Sequence, residues 1–176
     1  MAIEINPHNI ALSRADIDLF EAELGFTLPD DYKAFLLRYN AGGIEERQWQ
    51  SPGFYAKPVP PLAEDERWIA PDDFWDIALF HGLNLPETEY GDLRDIGPVM
   101  VGWGHAAELL PIASRYDGAK YVLDCGASRR GAVLLAGADR GSERSNEEPV
   151  AMGDYHMLCR SFTELLEGLR YVPTPP

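Results

Sequence analysis

A chain of 176 residues with 45% hydrophobic, 25% charged and 11% aromatic residues has the length of one domain and the composition of a packed core. This excludes a disordered or low-complexity protein and any need for disulfide or metal staples. Its 29 Asp and Glu against 15 Lys and Arg give a formal net charge of -14, which argues against nucleic acid and anionic membranes as partners, because both are held largely through cations.

The N-terminal residues lack the basic start and apolar run of a signal peptide, and no apolar stretch approaches the ~20 residues of a membrane helix, so a soluble, cytoplasmic protein is expected. Ser13 with Asp16 three residues on predicts a helix start. Ile17, Phe20 and Leu24 then share one face, and Gly25 supplies the stop. Pro29 suits the first turn of a second helix, where its missing N–H costs nothing and Asp30 and Asp31 complement the helix dipole. Tyr32, Phe35, Leu36 and Tyr39 follow at i, i+3, i+4 and i+7, and Asn40-Ala41-Gly42-Gly43 ends the run.

Between 48 and 61, Trp49, Phe54 and Tyr55 are scattered among four prolines, which predicts an ordered surface loop rather than a central strand. The P-x-x-P spacing of Pro58 and Pro61 belongs to that loop. Asp72 and Asp73 are placed to cap a third helix carrying Phe74, Trp75, Ala78 and Leu79 to about Gly82. After Gly97 short apolar segments at 99–101, 109–113, 121–123 and 133–136, divided by tight turns, predict antiparallel strands. Ser161 with Glu164 opens a last helix burying Phe162, Leu165, Leu166 and Leu169, and 171–176 reads as a tail. Helices, then strands, then a closing helix define an α+β domain over 1–176.

Catalytic constellations are sparse. Gly102-Trp103-Gly104-His105-Ala106-Ala107, with Asp124 some twenty residues on, mimics a dinucleotide fingerprint, but Pro111 follows too soon for the required helix and no crossover precedes Asp124. A glycine-rich turn is the better expectation. His8, His81, His105 and His156 have no metal-ligand spacing. Cys125 and Cys159, 34 positions apart and outside any C-x-x-C pair, read as small core residues. A Cys-His nucleophile, Cys125 with His105 or Cys159 with His156, would need folding to bring the groups together. No catalytic residue, metal site or cofactor is expected, and the chain is read as not an enzyme.

Charge is unevenly distributed. Residues 64–95 hold ten acids (Glu64, Asp65, Glu66, Asp72, Asp73, Asp76, Glu87, Glu89, Asp92 and Asp95) against Arg67 and Arg94. Trp68, Phe74, Trp75 and Tyr90 are interleaved with them. Aromatic anchors rimmed by acid suit a basic protein partner, and the expected contact set is Glu64, Asp65, Glu66, Trp68, Asp72, Asp73, Asp76, Glu87, Glu89 and Tyr90. The competing expectation is a solvated acidic face whose aromatics serve the core.

The stretch 24–43, LGFTLPDDYKAFLLRYNAGG, resembles the opening of the SUKH superfamily, which includes the fungal Smi/Knr-type regulators. Leu110-Pro111-Ile112, Tyr121-Val122-Leu123-Asp124 and Ser161-Phe162-Thr163-Glu164-Leu165-Leu166 match its later landmarks in order, so the resemblance spans about 13–169. It departs in a long Pro/aromatic and acidic insertion at about 44–98. The resemblance implies a single SUKH-like domain with an N-terminal helix pair, a central antiparallel sheet and a C-terminal helix, without catalytic residues or cofactors. It further implies a bacterial immunity protein that binds and neutralises a cognate polymorphic toxin, such as a nuclease; the alternative is a regulatory or scaffold module of the Smi/Knr type.

Overall fold

A computed structural model describes residues 3–44, 50–61, 64, 70, 72–87, 89–102, 104–136 and 155–173. In chain order its elements are β1 (Ile5–Asn6), α1 (Arg14–Leu24), α2 (Asp30–Tyr39), β2 (Gly43–Ile44), β3 (Gln50–Tyr55), β4 (Phe74–Asp76), β5 (Leu79–Phe80), α3 (Leu93–Gly102), β6 (Leu109–Ser114), β7 (Lys120–Asp124), β8 (Val133–Ala136), β9 (Tyr155–Cys159), α4 (Phe162–Gly168) and β10 (Arg170–Pro173). Strands β5 to β9 form an antiparallel five-stranded sheet in sequential order. A second sheet has the order β10-β3-β4, and β1 pairs with β2.

Local chemistry places three of the helices where the sequence predicts them. The Asp16 N–H donates to Ser13 Oγ, and the Asp16 carboxylate accepts the Ser13 N–H at 2.7 Å, so two orphan donors of α1 are satisfied reciprocally. Gly25 ends that helix at φ 77°, a left-handed conformation cheap only for glycine. Ser161 Oγ caps α4 by accepting the Glu164 N–H at 3.1 Å. The starts of α2 and α4 are joined through Asp31, whose carboxylate accepts both the N–H and the hydroxyl of Thr163. Phe162 then meets Tyr32 and Phe35 edge-on with ring centroids 5.0 Å apart, the arrangement favoured by the ring quadrupoles.

The five-stranded sheet is buried on both faces. Leu110, Tyr121, Leu123, Val133 and Leu135 belong to the larger core, shared with Ile17, Phe20, Tyr32, Phe35 and Phe162 of the helices. Leu109, Val122, Leu134 and Ala136 belong to a smaller core completed by Ile96 and Met100 of α3. Two-sided burial is why β6, β7 and β8 read as nearly unbroken apolar runs rather than alternating ones.

Four expectations are corrected. The third helix expected from 72 to 82 is instead β4 and β5: Asp73 has φ 55°, which interrupts any right-handed helix, and Phe54 and Trp75 face each other in an antiparallel ladder. The buried Trp75 indole donates to the Ala56 carbonyl at 2.8 Å. The third helix lies later, as α3, so 99–101 is helical rather than extended. Its spacing of Leu93, Ile96 and Met100 is masked by Gly97 and Pro98, the latter removing an interior hydrogen bond. The loop expected at 48–61 contains β3, the central strand of its sheet. Pro52 is tolerated because its carbonyl faces the Ile77 N–H, and N–H and C=O of one residue project to the same edge, so its missing donor takes nothing from β10. Finally, the tail expected at 171–176 opens inside strand β10, and 174–176 lie outside the described residues.

The turn after α2 fixes the domain's interior. Asn40, Ala41 and Gly42 hold φ of 41°, 77° and 65°. The Asn40 side chain, 1% exposed, donates to the carbonyls of Ile10 and Leu83 at 2.9 Å each and accepts the Leu83 N–H at 2.8 Å. Gly82 packs so closely that an added Cβ would lie 2.7 Å from Asn40 Oδ1. Asn40→Ala strands two carbonyls and an N–H, and an expected loss of roughly 3–5 kcal/mol, at about 1–3 kcal/mol for each unsatisfied group, is measurable by urea denaturation.

Candidate protein-docking site

The residues expected to form one acidic surface separate into distinct groups. Asp65, Glu66 and Trp68 lie outside the described residues. Glu64 and Asp72 are exposed, while Asp73 is half-buried and its carbonyl accepts the Ala56 N–H. Asp76 is turned to internal use. Its carboxylate pairs with Arg115 Nε at 3.0 Å and accepts the Tyr116 N–H, and its carbonyl accepts the Tyr121 hydroxyl. Arg115 is itself 8% exposed and lies over the Trp75 ring. Asp92 is likewise internal, accepting the N–H groups of Leu85 and Arg94 at the start of α3.

Glu87, Glu89 and Tyr90 do come together, on the rim of an open cleft of about 540 Å³ beside α3. Ile96, Val99 and Met100 give the cleft an apolar side, and Asp95 adds a third rim acid. Tyr90 is 61% and Val99 47% exposed. Lys120 is the cation of the cleft among the described residues; its ammonium donates to the Gly118 carbonyl and stands 5.3 Å from the Tyr90 ring centroid. Glu89 reaches His8 at 2.8 Å. Sequence reasoning missed Val99, Met100 and Lys120 as members of this surface. For Val99 and Met100 the signal was the helical spacing Ile96, Val99, Met100, which the Gly97-Pro98 pair obscured, whereas Lys120 comes from β7 and only folding brings it there.

Other candidates take structural roles. The glycine-rich stretch near 102 closes α3 and feeds β6, not a new helix, and Asp124 holds the Gly126 N–H and Arg129 Nε in a turn. Trp103 lies outside the described residues. Both cysteines are buried, and burial pushes their thiols up to about 12, which disfavours the reactive thiolate. His105 Nδ1 meets the Tyr155 hydroxyl and His156 Nδ1 the Pro60 carbonyl. Among the described residues no group of three or more His, Cys, Asp or Glu is placed to hold a metal ion. No helix among them is long and apolar enough to cross a membrane. A second open cleft, about 470 Å³, runs between β3 and β9 and carries Lys57 and Arg160.

The helix pair, two-sided meander and closing helix define a mixed α+β domain whose cleft beside α3 combines exposed apolar groups with acid. The chain belongs to the SMI1/KNR4 family (SUKH-1), which it matches over residues 11–168. This family is known for immunity proteins, is generally non-enzymatic and implies a protein partner. Among curated proteins none matches the chain.

Two outcomes follow from this geometry. Asp76→Ala leaves the Arg115 guanidinium without its closest carboxylate, and a stability loss of about 3 kcal/mol is expected in urea melts, as for breaking a buried pair. The loss therefore reports on folding rather than docking. His81, fully buried and edge-on to Tyr90, has Nδ1 3.0 Å from the Pro111 carbonyl and Nε2 2.8 Å from Ser114 Oγ. Burial pushes its imidazole down to about 4. The unfolded chain then takes the proton first, so this contribution is complete above pH ~6.5 and is lost as pH falls toward 4, to a limit on the order of 3 kcal/mol. Urea midpoints across that window check this, with a shallower slope expected for His81→Gln.

Proposed function

We propose that this protein is an immunity protein that binds a cognate polymorphic toxin in the cytoplasm and neutralises it stoichiometrically, a nuclease being the first toxin class to test. The observation that carries the proposal is the acid-rimmed, apolar cleft beside α3, on a domain of a family known for immunity proteins. The proposed interface takes Glu87, Glu89 and Tyr90 from the insertion at about 44–98, and Glu64, Asp65, Glu66, Trp68, Asp72 and Asp73 of the same insertion are proposed as further contacts. Negative potential there would accelerate encounter with a basic partner, and exposed apolar side chains would hold the docked complex. Asp76, expected among the contacts, is instead engaged by Arg115.

The test is co-expression with the toxin encoded beside the gene. Surviving cells and a purified one-to-one complex are expected, with toxin activity lost on mixing. A folded chain that neither rescues growth nor forms that complex would instead support a regulatory or scaffold role with an endogenous protein.

A further inference from the structure

The inward face of α3 is spent on the smaller core through Ile96 and Met100, yet Val99 remains 47% exposed on its outer side. Beside it Tyr90, 61% exposed, stands over the same cleft. Charged groups stand around this apolar surface: Glu87, Glu89 and Asp95 against Lys120. Glu89 is engaged by His8, whereas Glu87 and Asp95 have no ion pair among the described residues. An apolar centre with a charged rim is the anatomy of a protein interface, and the excess of acid selects the sign of what it meets.

We propose that this cleft receives a basic amphipathic segment of the partner protein. One aliphatic or aromatic side chain of that segment inserts between Tyr90 and Val99, and Lys or Arg side chains flanking it reach Glu87 and Asp95. The inference rests on the immunity reading only for the partner being a toxin; the chemistry of the docked segment follows from the cleft. The overall charge of -14 opposes an acidic segment. The cleft between β3 and β9 carries Lys57 and Arg160 against the single acid Glu164 on its lining, an excess of the opposite sign, and serves as an internal control.

The experiment is an NMR titration of the isotope-labelled full chain with three synthetic peptides of equal length: an amphipathic Lys/Leu peptide, its Glu/Leu counterpart and an all-Lys peptide. The Lys/Leu peptide should shift amides of residues 89–100 and 120, bind more weakly as salt rises, and bind better than either control. Glu87→Lys with Asp95→Lys should weaken it at least about tenfold and flatten the salt dependence. Tyr90→Ala with Val99→Ser should weaken it by a similar factor and leave the salt dependence in place. Unchanged spectra elsewhere verify that both double variants are folded.

Shifts centred on residues 57 and 160, or equal binding by wild type and both variants, would overturn the proposal. So would full growth rescue by both variants with unaltered toxin association kinetics. A wild-type chain that binds the Lys/Leu peptide beside α3 but neither rescues growth nor binds the toxin would remove the immunity reading and leave the docking chemistry standing.

Discussion

The side chain of Asn40 is the constraint on which the rest of the domain depends. It leaves the end of α2, bridges the segment before α1 to the segment after β5, and has all its described hydrogen bonds with backbone groups. Only a short amide can do this from a left-handed backbone: it carries donor and acceptor together, and Asn is unusually tolerant of positive φ. An aspartate would lose the donors, and a glutamine would drive its amide into the close approach of Gly82. The two chain ends of the helix pair are thereby locked to the sheet, and α2 presents Tyr32, Phe35 and Leu36 inward as a consequence.

Because the meander is covered on both faces, little of its side-chain surface is left for recognition. The inward faces of α1, α2 and α4 serve one core, and α3 serves the other through Ile96 and Met100 while its Leu93 joins the first. Among the described residues, what remains available is the outer sides of the helices and the segments joining the elements. Recognition can thus vary there without disturbing packing, and a family could exchange partners while keeping its interior. The acidic stretch shows the same division: Asp76 and Asp92 serve the interior, and Glu87, Glu89 and Asp95 face the cleft.

Legibility in the sequence tracked the range of the forces involved. The Ser13 and Ser161 caps, the Gly25 stop and the apolar faces of α1, α2 and α4 are set within a few residues, and they were readable. Strands β6, β7 and β8 were readable because their apolar runs are bounded by turn residues. Phe74-Trp75-Asp76-Ile77-Ala78-Leu79 satisfies helical spacing as well as two short strands, and pairing with β3 decides the matter. Pro52 argued against a central strand because its tolerance depends on which edge faces β10. For the cleft, Glu87, Glu89 and Tyr90 were visible as an acidic, aromatic pattern. The internal role of Asp76 was not, since Arg115 lies 39 positions away and only folding brings them together.

The pairing of β10 with β3 bears on how the chain acquires its shape during synthesis. Gly53 finds its partner Arg170 about 120 positions later, a separation that slows sheet formation through the entropy of closing so long a loop. As the polypeptide emerges from the ribosome, the α1–α2 pair and the β6–β8 meander have their contacts nearby and can form early. Strand β3 must wait with one edge unpaired until α4 has been made and β10 follows it out. Nascent chains halted between residues 136 and 170 would therefore display an open β edge, the form in which strand-to-strand association between neighbouring copies is most readily initiated.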